Sequence, residues 1–297
     1  MSNNSQIYKN NNNNLDKPLL TLSTCWYNLR SKFTSTQYLL WIQNFLSIVN
    51  TFNLVIYTDK NGITELQHII HNYRHLLNTK IKIIIKPIED FYGYKYKEYW
   101  IKNHYTNTNT NTNIINLHKH IDWQLNMLWC EKVHFVKETM DNKYFDTPFY
   151  GWCDIGYFRN KNDTTNTRDL INGRWPKLGG LFPTAKSVSQ IHYACVQNNE
   201  ELFYRLREES KESKESNESL INIPCFAGGF FILGPEIMTK YVQLFDEKIN
   251  YYFSNGYKIK DDQTIIKDCI FCNPELFCIH YENTMYDNWF MFQRILL

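Results

Sequence analysis

The stretch FYGWCDIGYFR spans Phe149 to Arg159. Aromatic and apolar residues run into a single carboxylate, Asp154, and Gly156 stands two residues further on. Trp, Tyr and Phe suit a pleated, buried surface, so 148–156 reads as a strand. A carboxylate is costly inside such a strand unless it is paired or set at its end. One reading of Asp154 is therefore structural: it pairs with Arg159 or caps a turn through backbone N–H groups. The other places it at a ligand site on the strand's carboxyl end.

Outward from this stretch, strands and helices alternate. The runs 19–27, 53–59 and 81–88 read as strands, and 36–50, 63–77 and 121–142 as helices. KLGGLFPT (177–184) reads as a strand, and PCFAGGFFILG (224–234) contains one. A helix is expected over 235–256, with Pro235 at its start and Gly256 at its end. DDQTIIKDCIFCNPE opens as a helix with acids at its N-terminus, and LFCIHY (276–281) closes as a strand. This alternation predicts an α/β domain with a mostly parallel central sheet flanked by helices. Ligands of such sheets bind beyond the carboxyl ends of the strands.

Several function classes lose their motifs. No G-x-G-x-x-G, no G-x-x-x-x-G-K-[ST] and no G-x-S-x-G occurs. The net charge of +2, without a basic stripe, argues against nucleic acid as a partner. The N-terminus lacks the apolar core of a secretory signal, and no run approaches the length of a membrane span. A cytoplasmic protein without a membrane span is expected, with its eight cysteines reduced. Cys269 and Cys272 form a C-x-x-C, with Cys278 and His280 downstream as conceivable zinc ligands. Small core residues are the commoner fate of such thiols. His68, His71 and His75 share one helix face and read as a solvated surface.

Asn-rich 10–14, TNTNTNTN (106–113) and EESKESKESNES (208–219) are low-complexity tracts that fit an AT-rich genome, such as that of a virus or a slime mould. They read as part of a disordered tail over 1–18 and as two insertions in a domain over 19–297.

The strand ends carry the chemistry. A lone acid with a nearby glycine suits a hard cation held against a diphosphate, because Mg²⁺ and Mn²⁺ take oxygen ligands and let phosphates fill the remaining positions. Asp261, Asp262 and Gln263 open a helix. Capping needs one acid, which leaves a carboxylate and an amide for a sugar hydroxyl or for general-base work. Gly228 and Gly229 allow close backbone approach, with Phe230 and Phe231 either walling a sugar pocket or packing tightly.

In order, the first strand with its following Arg30, WIQNFLSI, IYTD, LWCEKVHFVKET, WCDIGYFR, RWP, AGGFFILG, DDQ and NPELFCIHY resemble the HtrL/YibB (WlaTC-like) family of glycosyltransferases. The resemblance runs from about Leu19 to Tyr281. It implies a GT-A-like fold and transfer of a sugar from a nucleoside-diphosphate sugar, expected to be a UDP-sugar, to a glycan or protein acceptor, assisted by Mn²⁺ or Mg²⁺. Asp154 would be the first acid of a DxD-type motif. Gly156 stands where the second acid would be, so a two-carboxylate clasp is incomplete. The resemblance assigns donor binding to Thr24, Cys25, Trp26, Tyr27 and Arg30, to Tyr57 and Asp59, to Lys132, and to Asp154, Ile155 and Gly156. It gives Gly228, Gly229 and Phe230 to the sugar or acceptor, and Asp154 with His280 to the metal. Asp262 and Gln263 resemble the D–Q pair of retaining enzymes, while Asp261 or Asp262 would serve as the base of an inverting one. The other reading of the same residues is a non-catalytic carbohydrate- or nucleotide-binding protein on this scaffold.

Overall fold

In a computed structural model, which describes residues 17–108, 118–182, 184–197, 199–212 and 223–297, the first half of the chain lays down a parallel sheet. β1 (Leu20–Trp26), β2 (Asn53–Thr58) and β3 (Ile81–Ile85) pair in parallel, linked by α1 (Ser35–Ser47) and α2 (Lys60–Asn72). α1 begins at a capping box in which Thr34 and Gln37 satisfy each other's backbone N–H groups. α3 (Lys97–Thr108) and the 19-residue α4 (Trp123–Asp141) follow, before β4 (Phe149–Cys153) joins the free side of β1, also in parallel. β1, β2 and β4 are buried along their whole length. Burial on both faces explains why they read as continuous apolar runs rather than alternating ones.

The second half contributes α5 (Thr167–Asn172), α6 (Ala185–Val188), β5 (Ile191–Ala194), α7 (Glu200–Glu212), β6 (Phe230–Leu233), α8 (Pro235–Ser254), α9 (Asp262–Cys272), β7 (Phe277–His280) and α10 (Met291–Ile295). The seven strands lie in the order β3-β2-β1-β4-β6-β5-β7. β6 runs against both of its neighbours, and β5 and β7 are parallel to each other. The expected α/β architecture, a mostly parallel sheet flanked by helices, is present.

Strand alternation divides the core into two layers. On one face Trp152 and Tyr150 of β4 meet Val133 and Phe135 of α4 and Tyr241 of α8, with the Phe135 and Trp152 rings stacked at 5.8 Å. On the other, Phe149 and Cys153 belong with Ile42 and Phe45 of α1 and Phe292 of α10.

Three local expectations change. The 177–184 segment is not a strand in its described part: Leu178 and Leu181 turn into the core three residues apart, joined by a Leu181 N–H to Leu178 carbonyl bond at 3.0 Å. The strand that follows is instead β5, set between β6 and β7 and, at four residues with His192 inside it, too short to announce itself. The helix expected over 63–77 ends at Asn72 and continues as a 3₁₀ turn, Arg74–Leu76. α3 and α7 reach into the low-complexity tracts, whose remainders, like the tail through residue 16, lie outside the described residues. Among the described residues, no helix is long and apolar enough to cross a membrane.

Candidate functional site

The reversal of β6 builds the site. Because β6 is antiparallel to β4, its beginning lies beside the end of β4, with Cys153 opposite Phe230. Gly228 and Gly229, just before β6, therefore meet Asp154, just after β4. The Asp154 N–H donates to the Gly229 carbonyl at 2.8 Å, and Tyr157 N–H donates back to the Asp154 carbonyl at 2.9 Å, closing a turn.

Lys132, from the middle of α4, is the centre of this junction. Its ammonium donates to the Gly228 carbonyl at 2.9 Å and lies 3.0 Å from Asp154 Oδ1 and 2.9 Å from Asp262 Oδ2. The Asp262 contact is an ion pair whose angles fall short of a hydrogen bond. Trp152 Nε1 donates to the same Asp154 oxygen at 2.6 Å. The side chains of Lys132 and Asp262 are only 6% and 5% exposed, whereas that of Asp154 is 42% exposed, so the cluster opens to solvent through Asp154. Burial opposes the lysine's charge, but Asp154 and Asp262 outweigh it and push the amine well above its ordinary value. Burial also pushes the Asp262 carboxyl up, against the pull of Lys132.

The start of α9 is held in place from three sides. Asn103 exchanges two hydrogen bonds with the Ile259 backbone, both at 2.8 Å. Asn126 donates to the Ile259 carbonyl at 3.0 Å, and His118 Nε2 lies 2.8 Å from the Lys260 carbonyl. Asp261 sits at the N-cap with extended backbone but makes no side-chain cap hydrogen bond. It is buried beside Asp262, while Gln263 is half-buried.

His118 gives the site a pH-dependent foundation. Burial lowers its pKa to about 4, while an unfolded histidine titrates near 6.5. Below pH ~6.5 the unfolded chain binds a proton that the folded chain excludes, so stability is lost as pH falls from there toward 4. The expected contribution of His118 is a loss of ~2 kcal/mol between pH 7 and pH 5. Urea denaturation of the wild type and of His118→Gln at both pH values checks this, since the variant should lose that much less.

The remaining expected residues fall into different roles. Gly228 is required by close approach: a Cβ there would stand 2.6 Å from Asp262 Oδ2. A Cβ on Gly156 would stand 2.8 Å from the Trp41 ring, so the space of a second acid is filled by an aromatic side chain. Thr24 and Cys25 are buried at the end of β1, and burial, with Asp154 nearby, pushes the Cys25 thiol up. Trp26 Nε1 donates to Glu65 at 3.0 Å, and the Tyr27 hydroxyl donates to the Lys86 carbonyl at 2.8 Å. Arg30 is exposed and paired with Asp122 at 3.6 Å. Ile155 is buried in the α1 layer.

Four expectations are corrected. Tyr57 packs the core, its hydroxyl engaged with Thr139 and the Phe135 carbonyl at 2.9 and 3.2 Å. Asp59 caps α2 by accepting from the Gly62 N–H at 2.6 Å. Phe230 is fully buried, stacked on Phe292 and Tyr157, because the first residue of β6 points into the α10 layer. His280 is not brought to Asp154. β6 and β5 stand between their strands, a gap of about 14 Å at ordinary strand spacing. Its ring packs on Phe292 in the α10 layer, while Lys132 rises from α4 on the other face.

Sequence reasoning missed two basic groups bordering the cluster. Arg159 does not take Asp154 as its ion-pair partner. Its guanidinium is stacked between Trp41, Phe33 and Phe290 at 4.5, 4.9 and 5.2 Å, and its Nε donates to the Gly156 carbonyl at 2.8 Å. Lys32 projects over the Trp129 ring at 5.0 Å and feels the charges of Asp261 and Asp262. Arg159 stood in the opening stretch; no local pattern marks Lys32.

No protein-family model matches the chain, and neither does any curated protein, so the resemblance to the HtrL/YibB family rests on the motifs quoted above. Among solved structures, the apo form of mouse xyloside xylosyltransferase 1 is similar, with 16% identity over 88% of this chain and 84% of that one and a TM-score of 0.44.

Proposed function

We propose that this chain is a glycosyltransferase of GT-A-like architecture, which moves a sugar from a nucleoside-diphosphate sugar, expected to be a UDP-sugar, to a glycan or protein acceptor. The observation that carries the reading is the Lys132 cluster. One buried cation ties the end of β4, the turn before β6 and the start of α9 at the carboxyl edge of the parallel strands, where α/β sheets bind ligands. In this reading the exposed oxygen of Asp154 takes a hydroxyl of the donor, and Gly228 and Gly229 let the sugar approach the backbone. Lys32 and Arg159 border the diphosphate, and fixed positive groups of this kind stabilise the charge on a departing phosphate. Asp262 and Gln263 line the sugar's reacting face.

The residues do not fit the implied Mn²⁺ or Mg²⁺. A hard cation needs several oxygen ligands. Asp154 Oδ1 is already held by Lys132 and Trp152, position 156 has neither a carboxylate nor room for one, and His280 belongs to another corner. The ammonium of Lys132 already occupies the space between the Asp154 and Asp262 carboxylates. The metal-assisted expectation is therefore replaced by one in which lysine supplies the positive charge.

Thermal unfolding with a panel of UDP- and GDP-sugars, in EDTA and in Mn²⁺, tests both statements. A bound donor raises the apparent Tm, and the rise is expected in EDTA as well. Asp154→Asn should keep the fold and lower donor turnover by ~10²-fold or more. No binding in either condition would end the glycosyltransferase reading; binding strictly dependent on Mn²⁺ would end the lysine one. The filled space at Gly156 favours, as a second reading, a donor-binding protein without catalysis. Donor binding with no hydrolysis or transfer is its signature.

A further inference from the structure

At the far edge of the sheet, β5 and β7 bring together three metal-ligating side chains that the Lys132 cluster does not use. The strands are parallel, with His192 opposite Cys278 and Ala194 opposite His280. Side chains alternate along a strand, so Cys278 and His280 share a face, and His192 reaches the same one. A ring nitrogen of each histidine and the thiol sulfur lie within 4.8 Å of one another.

The imidazoles are already oriented. His192 Nε2 lies 2.7 Å from the Ser187 carbonyl, to which it must donate, leaving the Nδ1 lone pair free to accept. That Nδ1 lies 2.9 Å from His280 Nε2. A histidine whose outer nitrogen is fixed by a backbone carbonyl is the usual arrangement of a metal ligand, because the carbonyl sets both tautomer and ring angle. Phe182 and Phe292 wall the two rings, with centroids at 4.8 and 5.5 Å. His192 is buried, while Cys278 and His280 are half-buried, which leaves a path to solvent.

We propose that His192, Cys278 and His280 form a site for a soft divalent cation of the Zn²⁺ class, clasping the edge strand β7 to β5. Two nitrogens and a thiolate select such an ion over Mg²⁺ or Ca²⁺, which prefer oxygen. Ordinary Zn–N and Zn–S lengths in a tetrahedron place the nitrogens about 3.3 Å apart and the sulfur about 3.6 Å from each. The imidazoles must therefore open by a few tenths of an ångström from their 2.9 Å contact. On binding, His280 moves its proton from Nε2 to Nδ1 and the Cys278 thiol loses its own, so one proton is released per ion. The fourth position is left to water or an anion. The C-x-x-C does not take part: Cys269 is buried in the core, and Cys272 is exposed beside Lys248.

The test is titration of the chelator-stripped full chain with Co²⁺, followed by displacement with Zn²⁺. A thiolate-to-cobalt charge-transfer band saturating at one ion per chain is expected. Cys278→Ser should abolish the band, while Cys272→Ser keeps it. His280→Gln should weaken Co²⁺ binding by more than roughly tenfold, the loss that removing even an outer partner can give. Both substituted side chains are half-buried, and circular dichroism verifies folding; if one variant does not fold, the other still decides. No band in the folded wild type, or a band that survives in Cys278→Ser, overturns the proposal. Donor binding in EDTA should be unaffected by Cys278→Ser, so the outcome here is separate from that of the glycosyltransferase reading.

Discussion

Lys132→Met is expected to cost about 3–5 kcal/mol of folding stability, because it leaves the buried Asp262 carboxylate without its cation. Asp262 is 5% exposed, with Lys132 as its ion-pair partner at 2.9 Å. Without the ammonium, Asp262 must fold as a protonated acid, so its folded pKa rises further above the unfolded value near 3.9. The sign follows: the deficit of the variant shrinks as pH falls below that raised pKa and is largest at neutral pH. Urea denaturation at pH 7 measures it. Adding Asp262→Asn to Lys132→Met should recover part of the loss, with coupling between the sites of ~0.5–3 kcal/mol. A loss under ~1 kcal/mol for the single variant would mean that the cluster is solvated and that Lys132 does not hold the site together.

Gly156→Asp restores the acid that a DxD-type motif would have and is expected to destabilise by ~3 kcal/mol without creating a cation site. The new Cβ would meet the Trp41 ring at 2.8 Å and the Tyr38 ring at 3.3 Å. Trp41 has little room to yield, because Phe33 and Tyr38 pack edge-on against it at 4.9 and 5.3 Å and Arg159 stacks on it. The added carboxylate would also lose water against aromatic carbon. Pairing it with Trp41→Ala opens the space, so the double variant should recover part of the lost stability, while Mn²⁺ binding stays absent because Lys132 and Trp152 still hold Asp154. Thermal unfolding and Mn²⁺ calorimetry on the two variants read the outcome; a stable single variant that binds Mn²⁺ would show that the aromatic cluster does not decide the chemistry.

Much of the fold was legible because periodicity is a local property. The buried runs of β1, β2 and β4, and Pro235 at the start of α8, each lie within a few residues of what they specify. The same local signals located Asp154, Gly228 and Asp262 at element ends, where a ligand site of an α/β sheet belongs. What those residues touch was not legible. Gly228 meets Lys132 across 96 positions of chain and only because β6 is reversed beside β4. Position 156 has no room for an acid because Trp41 and Tyr38 of α1 fill that space, and His280 faces His192 because β7 pairs with β5 rather than lying near β4. The sequence by itself determined most of the long strands and helices and which polar residues stand at their ends, since backbone geometry and side-chain alternation act over a turn or a pleat. The tertiary structure alone decided strand order and the pairing of buried charges. Those depend on which distant surfaces pack against one another and on the free energy of desolvating groups that are far apart in the chain.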